Sequence, residues 1–301
     1  MTDSNVRPSH IRPIKVLVTG GEGQLGREIE LIAQKSDQRQ LSFTFTDRDT
    51  LDITDKESVA NFPDLANYDF IINCAAYTNV DKAQEDVEVC RLINSEGVRN
   101  LATACTGSKT RLIQISTDYV FDGTSSTPYK ESDKTNPASV YGQTKAEAEK
   151  IALSLKPDTI IVRTGWLYSS HHHNFVKTII AKAREGQHLF VVDDQHGTPT
   201  WAANLAEVLV NIVTSSNPLQ GGIYHYANKG ITTWHGFAQK ILEDADLDTP
   251  LSPCTTEQSA RPAPRPAYSV MECTKIEKAL DIQIPEWKHS LKQCIKQLTQ
   301  S

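Results

Sequence analysis

Tyr141 and Lys145 stand four residues apart in Tyr141-Gly142-Gln143-Thr144-Lys145, a spacing that puts both side chains on one helix face. A phenol with its ordinary pKa of about ten releases a proton slowly at neutral pH. A neighbouring ammonium stabilises the phenolate and brings that value nearer the working range. The pair suits a step in which a ketone accepts a hydride and its oxygen must be protonated. By itself the pattern is common on ordinary helices, so its weight depends on its surroundings. Upstream lies Ser116-Thr117-Asp118-Tyr119-Val120-Phe121-Asp122-Gly123, directly after an apolar run. Ser116 and Thr117, at a strand end, are placed to hydrogen-bond a carbonyl there.

A second motif says where the hydride would come from. In Thr19-Gly20-Gly21-Glu22-Gly23-Gln24-Leu25-Gly26 the residues Gly20, Gly23 and Gly26 recur as Gly-x-x-Gly-x-x-Gly. The first allows a sharp turn, the second lets a pyrophosphate approach the backbone at a helix N-terminus, and the third lets helix and strand pack closely. Three glycines alone are a weak signal, but their place between a first strand and a first helix favours a dinucleotide. The second strand ends at Asp47, and an acidic residue there suits the adenosine ribose of NAD. Arg48 beside it suits a 2′-phosphate, so NADH and NADPH both stay open.

The elements that must carry these residues alternate in type. Strands are predicted at 14–19, 41–46, 70–74, 112–115 and 159–163, and helices at 24–35, 87–104 and 142–154. Short β-branched runs alternating with helical periodicity specify a Rossmann-type doubly wound parallel sheet, an α/β fold with helices on both faces. Beyond Gly165 the rhythm loosens into a smaller mixed α/β region. Helices are expected at 175–184, 202–213 and 287–298, with a strand at 223–226. Residues 250–266 carry five prolines and read as an irregular loop. Thr274-Lys275-Ile276-Glu277 fits a capping box. The expected division is a loose tail at 1–13, a dinucleotide-binding part at 14–170 plus about 200–227, and a substrate-binding part at 171–199 and 228–301.

With 301 residues, 39% hydrophobic, the chain can bury a sizeable core without staples. A net charge of -6 argues against a nucleic-acid partner. The six cysteines show neither a Cys-x-x-Cys pair nor zinc spacing and read as reduced thiols. No run is apolar enough to span a bilayer and residues 1–13 do not read as a signal peptide, so a cytoplasmic protein without a membrane partner is expected. His171-His172-His173 reads as a solvated loop, since adjacent imidazoles rarely converge on one ion, and no metal ligand is assigned.

The glycine loop, the Tyr-x-x-x-Lys pair and the upstream hydroxyl resemble the extended short-chain dehydrogenase/reductase family. Finer motifs resemble its dTDP-4-dehydrorhamnose reductases. These are Leu51-Asp52-Ile53-Thr54, the run from Asn73 to Asp81, the run from Ser116 to Gly123, Arg163-Thr164-Gly165-Trp166, Asn174-Phe175-Val176, the run from Asp194 to Thr200, Gly222-Ile223-Tyr224-His225 and Arg265-Pro266. The resemblance implies reduction of the C4 ketone of dTDP-4-dehydro-L-rhamnose to dTDP-L-rhamnose, a precursor of cell-surface polysaccharide. It implies Thr117, Tyr141 and Lys145 as the catalytic set. Gly23, Gln24 and Leu25 fall at the cofactor pyrophosphate, Asp52 and Ile53 near its adenine, and Ala75, Ala76, Tyr77 and Thr78 along its middle. Asp118 and Trp166 face the sugar nucleotide. For Arg265 a further argument applies, because a guanidinium in a proline-stiffened loop suits a diphosphate. A homodimer and a Mg2+ ion at a subunit contact are left open. Cys74, Ala148 and Tyr268 depart from the pattern, where alanine, glycine and asparagine are usual. The alternatives are an epimerase or dehydratase on the same scaffold, for which Asp118 is the cue, and a non-catalytic subunit that kept the fold.

Overall fold

β1 (Ile14–Thr19) is an interior strand of the sheet, and its successive side chains serve opposite faces. Val16 and Val18 point into one core, Leu17 into the other, and all three are fully buried. The computed structural model describes residues 12–37 and 39–300. The expected tail therefore lies outside the described residues except for Arg12 and Pro13. Arg12 makes a two-pronged pair with Asp69 at 2.7 and 2.8 Å.

The chain continues through α1 (Gln24–Ala33), β2 (Leu41–Thr46), α2 (Lys56–Ala60) and β3 (Phe70–Asn73). α3 (Val87–Arg91), a π turn (Leu92–Glu96) and α4 (Gly97–Cys105) follow, then β4 (Arg111–Thr117), α5 (Val140–Leu155) and β5 (Ile160–Thr164). Next come β6 (Leu167–Tyr168), α6 (Phe175–Arg184), β7 (Leu189–Val192), β8 (His196–Gly197), β9 (Thr200–Trp201), α7 (Ala202–Thr214) and β10 (Gly222–His225). The last are β11 (Thr232–Thr233), α8 (Trp234–Asp244), β12 (Leu251–Cys254), α9 (Thr256–Ser259), α10 (Thr274–Leu280) and α11 (Trp287–Gln300).

Six strands form one parallel sheet in the order β10-β5-β4-β3-β1-β2. From β1 the chain moves outward to β2, then crosses back to β3 on the other side. That reversal is the switch point where open α/β sheets leave a crevice beyond the carboxyl ends of their strands. α1 and α7 cover one face, with Leu25, Ile29, Leu205 and Leu209 buried against Val16, Val18 and Ile113. α4 and α5 cover the other, with Val98, Leu101, Ala148 and Ala152 against Leu17, Ile71 and Leu112. Truncating a buried leucine such as Leu101 to alanine should cost about 2–5 kcal/mol. A further cluster, from β6, α6, β7, α8 and α11, packs Tyr168, Phe237 and Trp287 into a separate core.

Several local expectations need correction. Within 250–266 the chain forms β12, paired in parallel with β7, and α9, closed by a capping box from Thr255 to Gln258. The prolines did not prevent this because β12 is an edge strand, where a missing N–H costs nothing. The capping box expected at Thr274 is not formed. Cys273 is the N-cap residue without a side-chain bond. The Glu277 carboxylate is taken instead by Lys229 at 2.8 Å and Ile284 N–H at 3.1 Å. The helix expected over 87–104 is interrupted by the π turn. α8 was not anticipated, although Thr233 caps its Gly236 N–H at 3.0 Å ahead of a helical spacing of apolar residues.

Candidate active site

The carboxyl ends of β1, β3 and β4 are tied by a line of buried amides and hydroxyls. Thr19 donates to Asn73 at 2.6 Å, Asn73 to Gln114 at 2.7 Å, and Gln114 to the Ile115 carbonyl at 2.8 Å. Sequence reasoning missed this line, whose one trace is a polar residue closing each apolar run. Above it opens a cleft of about 560 Å³. Of the expected residues, Gly23, Gln24, Leu25, Ala75, Ala76, Thr78, Thr117, Asp118, Tyr141, Lys145 and Trp166 line it.

Each glycine of the loop has its own constraint. Gly20 sits at φ +65°, and a Cβ there would stand 2.6 Å from the Ala75 nitrogen. At Gly26 a Cβ would stand 2.6 Å from the Gly20 carbonyl oxygen, so the third glycine seats α1 on the turn. At Gly23 a Cβ would meet only the Gly20 carbonyl, at 3.3 Å. Its smallness is thus spent on the cleft rather than on packing. Gly23 is the N-cap of α1 and offers no side-chain cap.

Tyr141 opens α5 beneath the cap from Ser139 to the Gly142 N–H, 3.1 Å. Gly142 must be glycine because a Cβ would strike the Tyr119 carbonyl. Lys145 is 3% exposed, and its ammonium donates to the Ile115 carbonyl at 2.6 Å. Burial pulls Lys145 down to about 8, against the pull of Glu149. Burial pushes the Tyr141 phenol upward, with Thr117 opposing and Asp118 adding to the rise. The depressed phenol that the spacing suggested is absent here: burial dominates, and what opposes it is Thr117 rather than Lys145. Thr117 donates to Asp118 Oδ1 at 3.0 Å. Asp118 is buried and raised by that burial to about 6, with Ser269 and Thr117 opposing. Its Oδ2 nevertheless lacks a partner of hydrogen-bond geometry. A Cβ at Gly165 would stand 2.6 Å from the Asp118 carboxyl carbon, so that glycine makes room for the acid.

Other expected residues lie outside the cleft wall. The Asp47 carboxylate accepts from Thr50 Oγ1 at 2.7 Å and from the N–H groups of Asp49 and Thr50, closing its own turn. Arg48 pairs with Asp52 at 3.5 Å. Asp52 is also bound by Thr54, and Ile53 is buried against Gly97, where a Cβ would stand 2.7 Å from it. Tyr77 donates its hydroxyl to Asp86 at 2.9 Å while its backbone N–H donates to Asn94 at 2.8 Å. Asn94 sits in the π turn, so that irregularity pins the loop beyond β3. Arg265 lies in a neighbouring cavity of about 500 Å³, with Arg261 and Lys182. There it grips Asp81 at 2.8 and 2.9 Å, while Arg261 reaches the same carboxylate at 3.6 Å.

The chain matches the family described as RmlD substrate binding domain over residues 14–300. It is 38% identical to a dTDP-4-dehydrorhamnose reductase of Aggregatibacter actinomycetemcomitans, over 92% of this chain and 97% of that one. It is 36% identical to a dTDP-4-keto-6-deoxy-D-glucose reductase of Streptomyces niveus, over 92% and 95%. The crystal structure of a dTDP-4-dehydrorhamnose reductase from Bacillus anthracis in complex with NADP superposes with a TM-score of 0.89 at 33% identity, covering 95% and 99%. This chain belongs to the RmlD family.

As an RmlD-family member it is expected to hold a nicotinamide dinucleotide, and the residues fit one. The uncapped N-terminus of α1 turns free N–H groups toward the cleft, and Gly23 leaves room beside them. Two walls were not singled out from sequence. Trp234 stacks on Trp166 at 3.7 Å and 6°, and Phe175 leans on Trp234 at 4.7 Å. Trp166 takes φ +50°, and its indole covers Gly197 so closely that a Cβ there would clash. The histidine segment is not merely a solvated loop. His172 and His173 line the cleft, and Ser169 and Asn174 at its ends bind the Gln24 side chain at 3.2 and 3.0 Å. His171 faces buried Glu28 at 3.9 Å. Among the described residues no cluster of metal-ligating side chains occurs, and no helix is long and apolar enough to cross a membrane.

Proposed function

We propose that this chain reduces the C4 ketone of dTDP-4-dehydro-L-rhamnose to dTDP-L-rhamnose at the expense of NADPH or NADH. The observation that carries the reading is one cleft holding Thr117, Tyr141 and Lys145 together with Gly23, Gln24 and Leu25. A bound dihydronicotinamide supplies the hydride. Thr117 and Tyr141 hold the ketone oxygen, and Tyr141 keeps its proton until that oxygen becomes basic enough to take it. Lys145 sets the charge beside them and binds ribose. Asp118, with an unpartnered oxygen, accepts from a sugar hydroxyl, and Trp166 closes the sugar's far side. Arg265, with Arg261 behind it, faces the diphosphate.

The division into a dinucleotide-binding part (14–170 and about 200–227) and a substrate-binding part (171–199 and 228–301) belongs to this reading. So do the contacts assigned to Gly20, Gly26, Asp47, Asp52, Ile53 and Tyr77, action in the cytoplasm, and a homodimer with Mg2+ at its contact, which sedimentation with and without Mg2+ tests. The deciding experiment is turnover. NAD(P)H absorbance should fall when dTDP-4-dehydro-L-rhamnose is added, with each cofactor tried in turn. A second substrate, a dTDP-4-keto-6-deoxy-D-glucose, should be run beside it. Tyr268 occupies the place where asparagine is usual, next to buried Ser269, and so bears on which sugar fits. No loss of absorbance with either sugar removes the reading.

A further inference from the structure

Two consecutive residues near the end of β4 are bonded to two residues one turn apart on α5, and a third follows them into the cleft. Ile115 accepts from Lys145 at 2.6 Å, Ser116 donates to Glu149 Oε1 at 2.5 Å, and Thr117 follows in the cleft wall. Behind Glu149 stands Arg163 of β5, 2% exposed. It donates Nε to Oε1 at 2.8 Å and a terminal nitrogen to Oε2 at 2.6 Å. Strand register puts Ser116 beside Arg163 and Arg163 beside His225. The guanidinium also lies 5.0 Å over the Phe121 ring and 3.3 Å from His225 Nε2. Burial, aided by Arg163, holds His225 down to about 3, so its ring is neutral.

A buried ion pair is a poor device for stability, since well-packed apolar residues usually do as well. Its location offers another use. Glu149 follows Lys145 by four residues, on the same helix face. We propose that Glu149, held by Arg163 and Ser116, is a positioning residue of the reductase: its carboxylate keeps the Lys145 ammonium charged within a dry cleft and, through Ser116, holds the end of β4 against α5.

Burial is the largest influence on Lys145 and favours the neutral amine, while Glu149 is the largest that opposes it, ahead of the Cys74 and Cys90 thiols. Burial pushes Cys74 to about 12 and raises Cys90, so both are thiols rather than charges at neutral pH. Asp118, beyond Thr117, faces Tyr141. On the outer side of α5, Glu147 is taken by Arg91 at 2.7 Å, and Glu96 by Arg99 at 2.9 Å. Glu149 is thus the carboxylate placed to hold Lys145 as a cation. The inference rests on Lys145 belonging to the reductive site, so its test includes a readout that needs no substrate.

Trace labelling with acetic anhydride, quantified at Lys145 by mass spectrometry across pH, reads the lysine's titration directly. In Glu149→Gln the midpoint should fall by about one pH unit, the usual effect of one near countercharge. The basic limb of kcat/KM should move down with it, while the Kd for NADPH at pH 6.5 stays within about twofold, as expected where the ammonium is still present. Should the unpaired Arg163 keep that variant from folding, Glu149→Gln/Arg163→Met removes both charges and takes its place, with a smaller shift in the same direction. Glu149→Asp should restore most of the wild-type midpoint. An unmoved labelling midpoint in a cooperatively folded variant overturns the proposal. A loss of activity equal at every pH does the same, because that is what a purely structural role would give. If wild type labels as expected but reduces neither sugar, the substrate reading fails and this one stands.

Discussion

Two cavities share a wall of Phe175 and Trp234, yet they treat charge in opposite ways. The catalytic cleft leaves its ionisable groups under tension. Lys145 is lowered, Asp118 and Tyr141 are raised, and one Asp118 oxygen lacks a partner of hydrogen-bond geometry. The cavity beside it holds its two arginines on one carboxylate, with Arg261 and Arg265 both on Asp81. On the proposed reading, groups that would change protonation during turnover are kept dry and poised. On the same reading, the groups that would hold a diphosphate are prearranged by a carboxylate, which fixes their geometry and tempers their attraction. Two arginines on one carboxylate still leave a net positive charge for a ligand.

Tyr141→Phe should break the first side most deeply. With the ring kept and the proton donor gone, kcat should fall by about two to four orders of magnitude, while cofactor affinity by fluorescence titration stays nearly unchanged. Near-normal turnover would remove Tyr141 from proton transfer.

Arg265→Ala tests the second side. Losing a charge-assisted bond costs roughly 1.5–3 kcal/mol, so the KM for the dTDP-sugar should rise at least about tenfold, well beyond any change in the Kd for NAD(P)H. Asp81→Asn sharpens the point, since it frees both arginines and should lower or leave that KM. An equal loss of cofactor affinity in Arg265→Ala would show that this cavity is not the diphosphate site.

Asp118→Asn probes the tension itself. A carboxyl whose folded value is raised to about 6 binds its proton more tightly folded than unfolded. Its contribution to stability is present below its ordinary value near pH 4 and is lost as pH rises through about 6. Asparagine removes that loss, so the variant should gain on wild type between pH 4 and 7, by roughly 2–3 kcal/mol at most, as it loses activity. Denaturant unfolding at several pH values measures this. A pH-independent difference would show that Asp118 is not strained.

The smallest effect belongs to Asp47. Its carboxylate already closes its own turn, so Asp47→Ala should weaken NADH more than NADPH by less than a full charge-assisted bond, on the order of 1 kcal/mol. An unmoved NADH/NADPH ratio would mean the ribose is held elsewhere.

The parallel strands, the glycine turn and the Tyr141/Lys145 face were legible in the residues because each depends on neighbours a few positions apart. Backbone sterics at Gly20, period-two and helical burial, and i,i+4 spacing are local quantities. The Asp118 tension, the Glu149–Arg163–Ser116 layer and the Trp166–Trp234 stack are not, because their partners meet only when strands register and the C-terminal elements pack down. Arg265 and Asp81 are 184 residues apart, and no periodicity links them. β12 forms only because β7 offers an edge, which overrode the local signal of its prolines. Residue types therefore announced which chemistry was available. Burial and long-range pairing decided which of those groups are poised to react and which are held still, since the cost of charge depends on what three-dimensional packing removes from water.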